Sequence, residues 1–103
     1  MDYFIVEVSE AEVKRERDKS RELRRSRWWQ NRIAQGICHY CNQKFASEDL
    51  TMDHLVPVSR GGKASRNNVV PACKECNSSK KYLLPIEWED YLNQYKVPES
   101  DSE

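Results

Sequence analysis

All four cysteines of this 103-residue chain fall in two Cys-x-x-Cys pairs, Cys38/Cys41 and Cys73/Cys76, with 31 residues between them. Two such pairs offer four thiolates to one tetrahedral ion, the soft and closed ligand set of a structural zinc. Disulfides and free thiols are the alternatives. Disulfides require an oxidising compartment. The start Met1-Asp2-Tyr3-Phe4 has no basic region followed by an apolar one, so no signal peptide is expected. A thioredoxin-type redox site requires only one pair, in a different setting. The pattern therefore predicts a four-cysteine zinc that ties residues 38–41 to 73–76 and closes the segment between them. His39, inside the first pair, reads as a surface loop residue.

A metal staple suits the rest of the composition. Leu, Ile, Val and Phe together supply only 20 of the 103 residues, so the core is small. Disordered chains share that poverty but usually carry high net charge, whereas here 17 basic residues balance 17 acidic ones. The length allows one domain and no second core. No apolar run approaches the length of a membrane span, so no membrane partner is expected, and a cytoplasmic location follows from the same absence of targeting signals.

The zero net charge separates into blocks. Residues 1–13 carry −4, residues 14–32 carry +6, residues 33–81 carry +3 and residues 82–103 carry −5. A polyanion that meets only residues 14–81 meets a charge of +9, so the balanced total does not exclude a nucleic-acid partner. The acidic ends either restrain non-specific DNA binding or meet a basic protein partner.

Along the chain, residues 3–8 suggest a short strand. Ser9-Glu10-Ala11-Glu12 has the form of a capping box, and nothing after it breaks a helix before Gln35, with Gly36 placed as its C-terminal cap. From Lys14 to Arg27 this basic helix has almost no apolar stripe, so it is expected in solvent or on a partner. Strands are expected at residues 51–56 and 68–71, separated by a Gly61-Gly62 loop. A helix follows from near Lys74 to about Leu83. Pro85 then opens another to about Tyr95, with Ile86, Trp88, Tyr91, Leu92 and Tyr95 along one side. The residues from Pro98 onward form an acidic tail. The expected organisation is a strand and basic helix over 1–35, a zinc-stapled domain over 36–97, and the tail over 98–103.

The segment inside the zinc pairs holds an acid–histidine step, Asp53-His54. Asn68 follows fourteen residues later, Asn77 comes directly after the last cysteine, and Lys80 and Lys81 follow it. Taken singly these are ordinary, since Asn68 suits a turn and Asn77 a helix start. Together the spaced elements Cys-x-x-Cys, Asp53-His54-Leu55-Val56-Pro57, Gly61-Gly62 and Asn68-Val69-Val70-Pro71-Ala72-Cys73-x-x-Cys76-Asn77-x-x-Lys80 resemble the HNH endonuclease family. The closer likeness is to its four-cysteine zinc branch, over roughly residues 36–83. The fold implied is α+β: a small ββα-metal (His-Me finger) domain with a structural zinc, here preceded by the long basic helix.

The resemblance implies a role for each matching position. Asp53 is expected to hold a catalytic divalent metal, His54 to act as general base on water, and Asn68 to position the loop that carries His54. Asn77 stands where the family often has histidine. Asp53 and Asn77 then form a hard oxygen donor set that favours Mg²⁺ or Mn²⁺ over softer ions. Double-stranded DNA is the expected substrate. Arg21, Arg24 and Arg25 are expected along the duplex backbone, and Arg60, Lys80 and Lys81 at flanking phosphates. With one site per monomer, nicking is the expected outcome, and a phage or mobile-element origin in a bacterial host fits so compact a unit. The alternative is a zinc-ribbon-like nucleic-acid-binding module without catalysis. Such a binder has no use for an Asp-His pair between its knuckles.

Overall fold

The computed structural model describes residues 7–80 and 83–95. The tail from Pro98, Lys81, and most of the strand expected at 3–8 lie outside the described residues, as does the side chain of Tyr95. Glu7 and Val8 are not in a strand.

Two antiparallel strands and the helix that follows them make the central unit. β1 spans Leu50–His54 and β2 spans Val69–Cys73, paired from Leu50 opposite Cys73 to His54 opposite Val69. β2 runs directly into α3, Lys74–Lys80, which packs against both strands. The chain is therefore of the α+β class and carries the expected ββα unit. Pro71 is tolerated in the middle of β2 because each strand of a two-stranded sheet has a free edge. That outer edge carries the first cysteine turn: His39 N–H donates to Pro71 O at 2.8 Å, and Cys73 N–H to Cys38 Sγ at 3.4 Å. The buried cluster consists of Cys38, Leu50, Ala72, Cys73 and Cys76, with Ile33, Tyr40, Cys41 and Phe45 packed around it. Three of its five members are cysteines, so the expected small core is built around sulfur.

The N-terminal helix is not continuous. α1 spans Glu10–Arg25 and α2 spans Arg27–Ala34, with Ser26 in extended conformation between them (φ −72°, ψ 153°). The expectation of an unbroken helix to Gln35 is corrected by this one residue. Ser26 donates its hydroxyl to Leu23 O at 2.7 Å and accepts from Trp29 N–H at 3.2 Å, so one side chain closes α1 and caps α2. The other ends follow the sequence. The Ser9–Glu12 capping box is formed in both directions, at 3.0 and 3.1 Å. Gly36 ends α2 at φ +72°, where a Cβ would meet Phe45 O at 2.8 Å. The two helices bury different residues: Trp29 in α2, and Glu16 and Ser20 in α1.

α4, Pro85–Tyr95, adds a flank of aromatic contacts. Trp88 is buried, stacks on Tyr91 and meets the Tyr40 ring edge-on at 5.6 Å. Tyr91 and Leu92 are half-buried, but Ile86 is 55% exposed. Ile86 therefore does not share the inward side proposed for it: it sits in the first turn of the helix, two residues before Trp88, and two helical positions differ by about 200° around the axis.

Candidate active site

Asp53 and His54 are the last two residues of β1, and strand alternation sends their side chains to opposite sides. Asp53 is buried, with Oδ2 accepting from the Tyr40 hydroxyl and lying 3.4 Å from Lys80 Nζ. His54 turns the other way, towards α1, and places Nε2 2.8 Å from Ser20 Oγ. Both still border one open cavity of about 380 Å³, because His54 ends the strand and the chain turns away at Pro57. Asn77 of α3 lines the same cavity, and Arg17, Ser20, Arg21 and Arg24 of α1 form its other wall.

Asn77 is oriented by a relay. Thr51 donates its hydroxyl to Ala72 O at 3.1 Å, so the same oxygen accepts from Asn77 Nδ2 at 3.2 Å. That bond commits Asn77 Nδ2 to Thr51 and leaves the amide oxygen as the acceptor of this side chain. Asn68 works on the loop beyond His54. Its Oδ1 accepts from Val56 N–H at 3.0 Å, while its Nδ2 donates to Val56 O at 3.1 Å and to Lys63 O at 2.9 Å. The loop folds back so closely that a Cβ on Gly62 would lie 1.7 Å from Val56 O, which admits only glycine. Asn68 thus clamps both ends of the turn that leaves β1.

Burial holds the His54 pKa below the ordinary histidine value. The Asp53 carboxylate acts to raise it, and Arg24 and Lys80 add to the lowering. The balance favours the neutral ring. Burial and the hydrogen bond to Asp53 push the Tyr40 phenol far up, so Tyr40 stays a donor to that carboxylate. Burial and Arg32 keep His39 low as well, but His39 lies on the surface, as expected, and borders a different depression.

The four cysteine Sγ atoms lie within 4.8 Å of one another, and Cys41 and Cys73 are 4.0 Å apart. Zinc–sulfur bonds of about 2.3 Å place tetrahedral sulfurs about 3.8 Å apart, so the cluster needs only slight contraction. Burial acts to raise the Cys38 thiol, but the amides of Cys41, Cys73 and Tyr40 outweigh it and bring it to about 7. Burial pushes Cys41 and Cys76 up. Four sulfurs this close cannot all ionise without a cation among them, and a soft divalent ion such as zinc meets that need.

The expected phosphate contacts separate into three groups. Arg21 and Arg24 border the cavity, while Arg25 is exposed at the end of α1. Arg60 is held by Glu87, with contacts of 2.7 and 3.3 Å. Lys80 does not belong to the surface at all. It is 0% exposed, with Nζ 3.1 and 3.2 Å from His54 O and Leu55 O, and its charge is satisfied inside the fold.

Four contributors escape the sequence reading. Arg17 completes a row with Arg21 and Arg24 at helical spacing; it lies in the basic helix expected in solvent or on a partner, but was not singled out there. Ser20 sits amid the charges of α1. Tyr40 lies inside the first cysteine pair. Glu16 docks α1 by accepting from Ala64 N–H at 2.9 Å, with its side chain only 5% exposed. No apolar pattern marks Glu16 and Ser20, because the contacts they make from α1 are hydrogen bonds.

The chain belongs to the HNH endonuclease family: the family's sequence profile matches residues 38–90, just over half of the chain. The match takes in all four cysteines together with Asp53, His54, Asn68 and Asn77, and it excludes α1 and α2. No curated protein matches the chain. No helix among the described residues is long and apolar enough to cross a membrane.

Proposed function

We propose that this chain is a metal-dependent DNA endonuclease that hydrolyses phosphodiester bonds, with His54 as general base and nicking as its default on duplex DNA. The observation that carries the reading is a histidine, its pKa lowered by burial, sharing one cavity with the buried carboxylate of Asp53, with Asn77 and with three arginines. Hydrolysis requires a water to lose its proton as its oxygen bonds to phosphorus, and the bond to the leaving sugar oxygen to break. A neutral imidazole accepts that proton near pH 7. Asn68 holds the turn that fixes where the imidazole stands. Arg17, Arg21 and Arg24 draw the phosphate backbone to the cavity and offset its charge.

Asp53 and Asn77 would hold the divalent ion. Oδ2 of Asp53 is engaged by Tyr40 and Lys80, so Oδ1 is the carboxylate oxygen left for it, and the Asn77 amide oxygen is the second donor. Both are hard oxygens, a set suited to Mg²⁺ or Mn²⁺. Such an ion supplies stabilisation of negative charge on the phosphoryl and leaving oxygens. The four-cysteine metal is separate, a scaffold joining α3 to the sheet.

The test is supercoiled plasmid DNA incubated with the protein and Mg²⁺ or Mn²⁺. Conversion to open circles supports the reading. Plasmid that is bound but left intact under every divalent ion assigns the chain instead to the non-catalytic, nucleic-acid-binding class.

A further inference from the structure

Ser20 lies outside the segment matched by the family and touches the proposed general base directly. Its hydroxyl has one proton and two close partners, Glu16 O at 2.9 Å and His54 Nε2 at 2.8 Å. A backbone carbonyl only accepts. Both contacts are attractive in one arrangement alone: Ser20 donates to Glu16 O, and His54 donates its Nε2–H to Ser20 Oγ. The other arrangement, with Ser20 donating to Nε2, sets two oxygen lone pairs against each other. Ser20 is only 3% exposed, so water does not relieve that conflict.

We propose that Ser20 is a positioning residue that fixes the neutral tautomer of His54, so that Nδ1 is the nitrogen that accepts the proton of the attacking water. The helix that carries Ser20 is thus part of the catalytic apparatus as well as a basic handle for DNA. It is held in place by Glu16, one turn earlier, through Ala64 N–H, and the Glu16 carbonyl is the acceptor that forces the direction of the Ser20 bond. One helical turn therefore docks α1 on the loop and sets the ring. The kinetic consequence rests on the reading of His54 as general base; the tautomer itself does not.

Nitrogen–proton correlation spectra of the imidazole ring in the full-length protein test the relationship without DNA or divalent metal. Wild type is expected to show a neutral ring with its proton on Nε2, protected from exchange with water. Ser20→Ala is expected to lose that protection, and Ser20→Thr, which restores a hydroxyl, to recover it. Alanine favours a helix, so the Ala variant keeps α1. In plasmid cleavage, Ser20→Ala is expected to lower kcat about 10-fold with KM unchanged, and Ser20→Thr to regain most of the loss. A wild-type ring protonated on Nδ1, or a Ser20→Ala enzyme with wild-type kcat, overturns the proposal. If wild type cuts no DNA, the nuclease reading fails while the ring spectra still decide the role of Ser20.

Discussion

The ammonium of Lys80 lies 3.4 Å from the carboxylate of Asp53, and the two side chains are 0% and 8% exposed. A lysine that follows the last cysteine by four positions reads as a DNA contact, yet this one is interior. It also donates to the carbonyls of His54 and Leu55 and so fastens α3 beneath the end of β1. Lys80→Met is expected to leave Asp53 buried without its cation and to cost about 3–5 kcal/mol in denaturant unfolding. The salt slope of DNA binding should stay unchanged. A slope that falls with little loss of stability would return Lys80 to the DNA surface.

Three of the five residues of the central buried cluster are cysteines that could hold a metal, so loss of that site should unsettle the fold as well. Cys73→Ser is expected to lose zinc by elemental analysis and to lose the cooperative thermal transition, since structural zinc contributes on the order of 10 kcal/mol in small domains. A variant that binds no zinc yet melts cooperatively would remove the scaffold role.

How much of this was legible follows from where the chain uses apolar packing and where it uses polar contacts. The ββα unit was readable because the two cysteine pairs bracket the Asp53-His54 step and the glycine loop in the order that resembles the HNH family. The placement of α1 was not, since Glu16 and Ser20 dock it through hydrogen bonds and leave no hydrophobic stripe. Ser26 was missed for a related reason: serine is compatible with a helix interior and becomes a break only when its hydroxyl takes both Leu23 O and Trp29 N–H. Asn68 was legible as a turn residue, but its grip on Val56 and Lys63 needed the fold.

Arg17, Arg21 and Arg24 face the cavity from one side of α1. Changing all three to Ala is expected to weaken DNA binding regardless of sequence and to flatten the slope of log K against log salt by about 2–3, at roughly 0.9 per phosphate. Titration of binding at several salt concentrations gives the slope. An unchanged slope would mean that α1 is a solvated helix away from the duplex.

The docking of α1 should depend on acid. The Ala64 amide holds the Glu16 carboxyl below its ordinary value of 4.5; burial opposes this, and Lys19 and Lys63 assist it. A depressed carboxylate contributes stability that is fully present above pH 4.5 and is lost as pH falls through the folded-state value. The melting temperature of wild type should exceed that of Glu16→Gln near neutrality, and the difference should shrink below pH 4.5. Loss of the metal in acid affects both proteins and cancels. A difference that grows as pH falls would contradict the docking role.

The central claim is that His54 takes the proton of the attacking water. The most direct measurement compares wild type with His54→Ala in single-turnover cleavage of supercoiled plasmid, at saturating protein and with the divalent ion that supports wild-type activity. The account predicts a fall of at least about 100-fold in the cleavage rate with DNA affinity retained. A His54→Ala protein that cuts at the wild-type rate would contradict it.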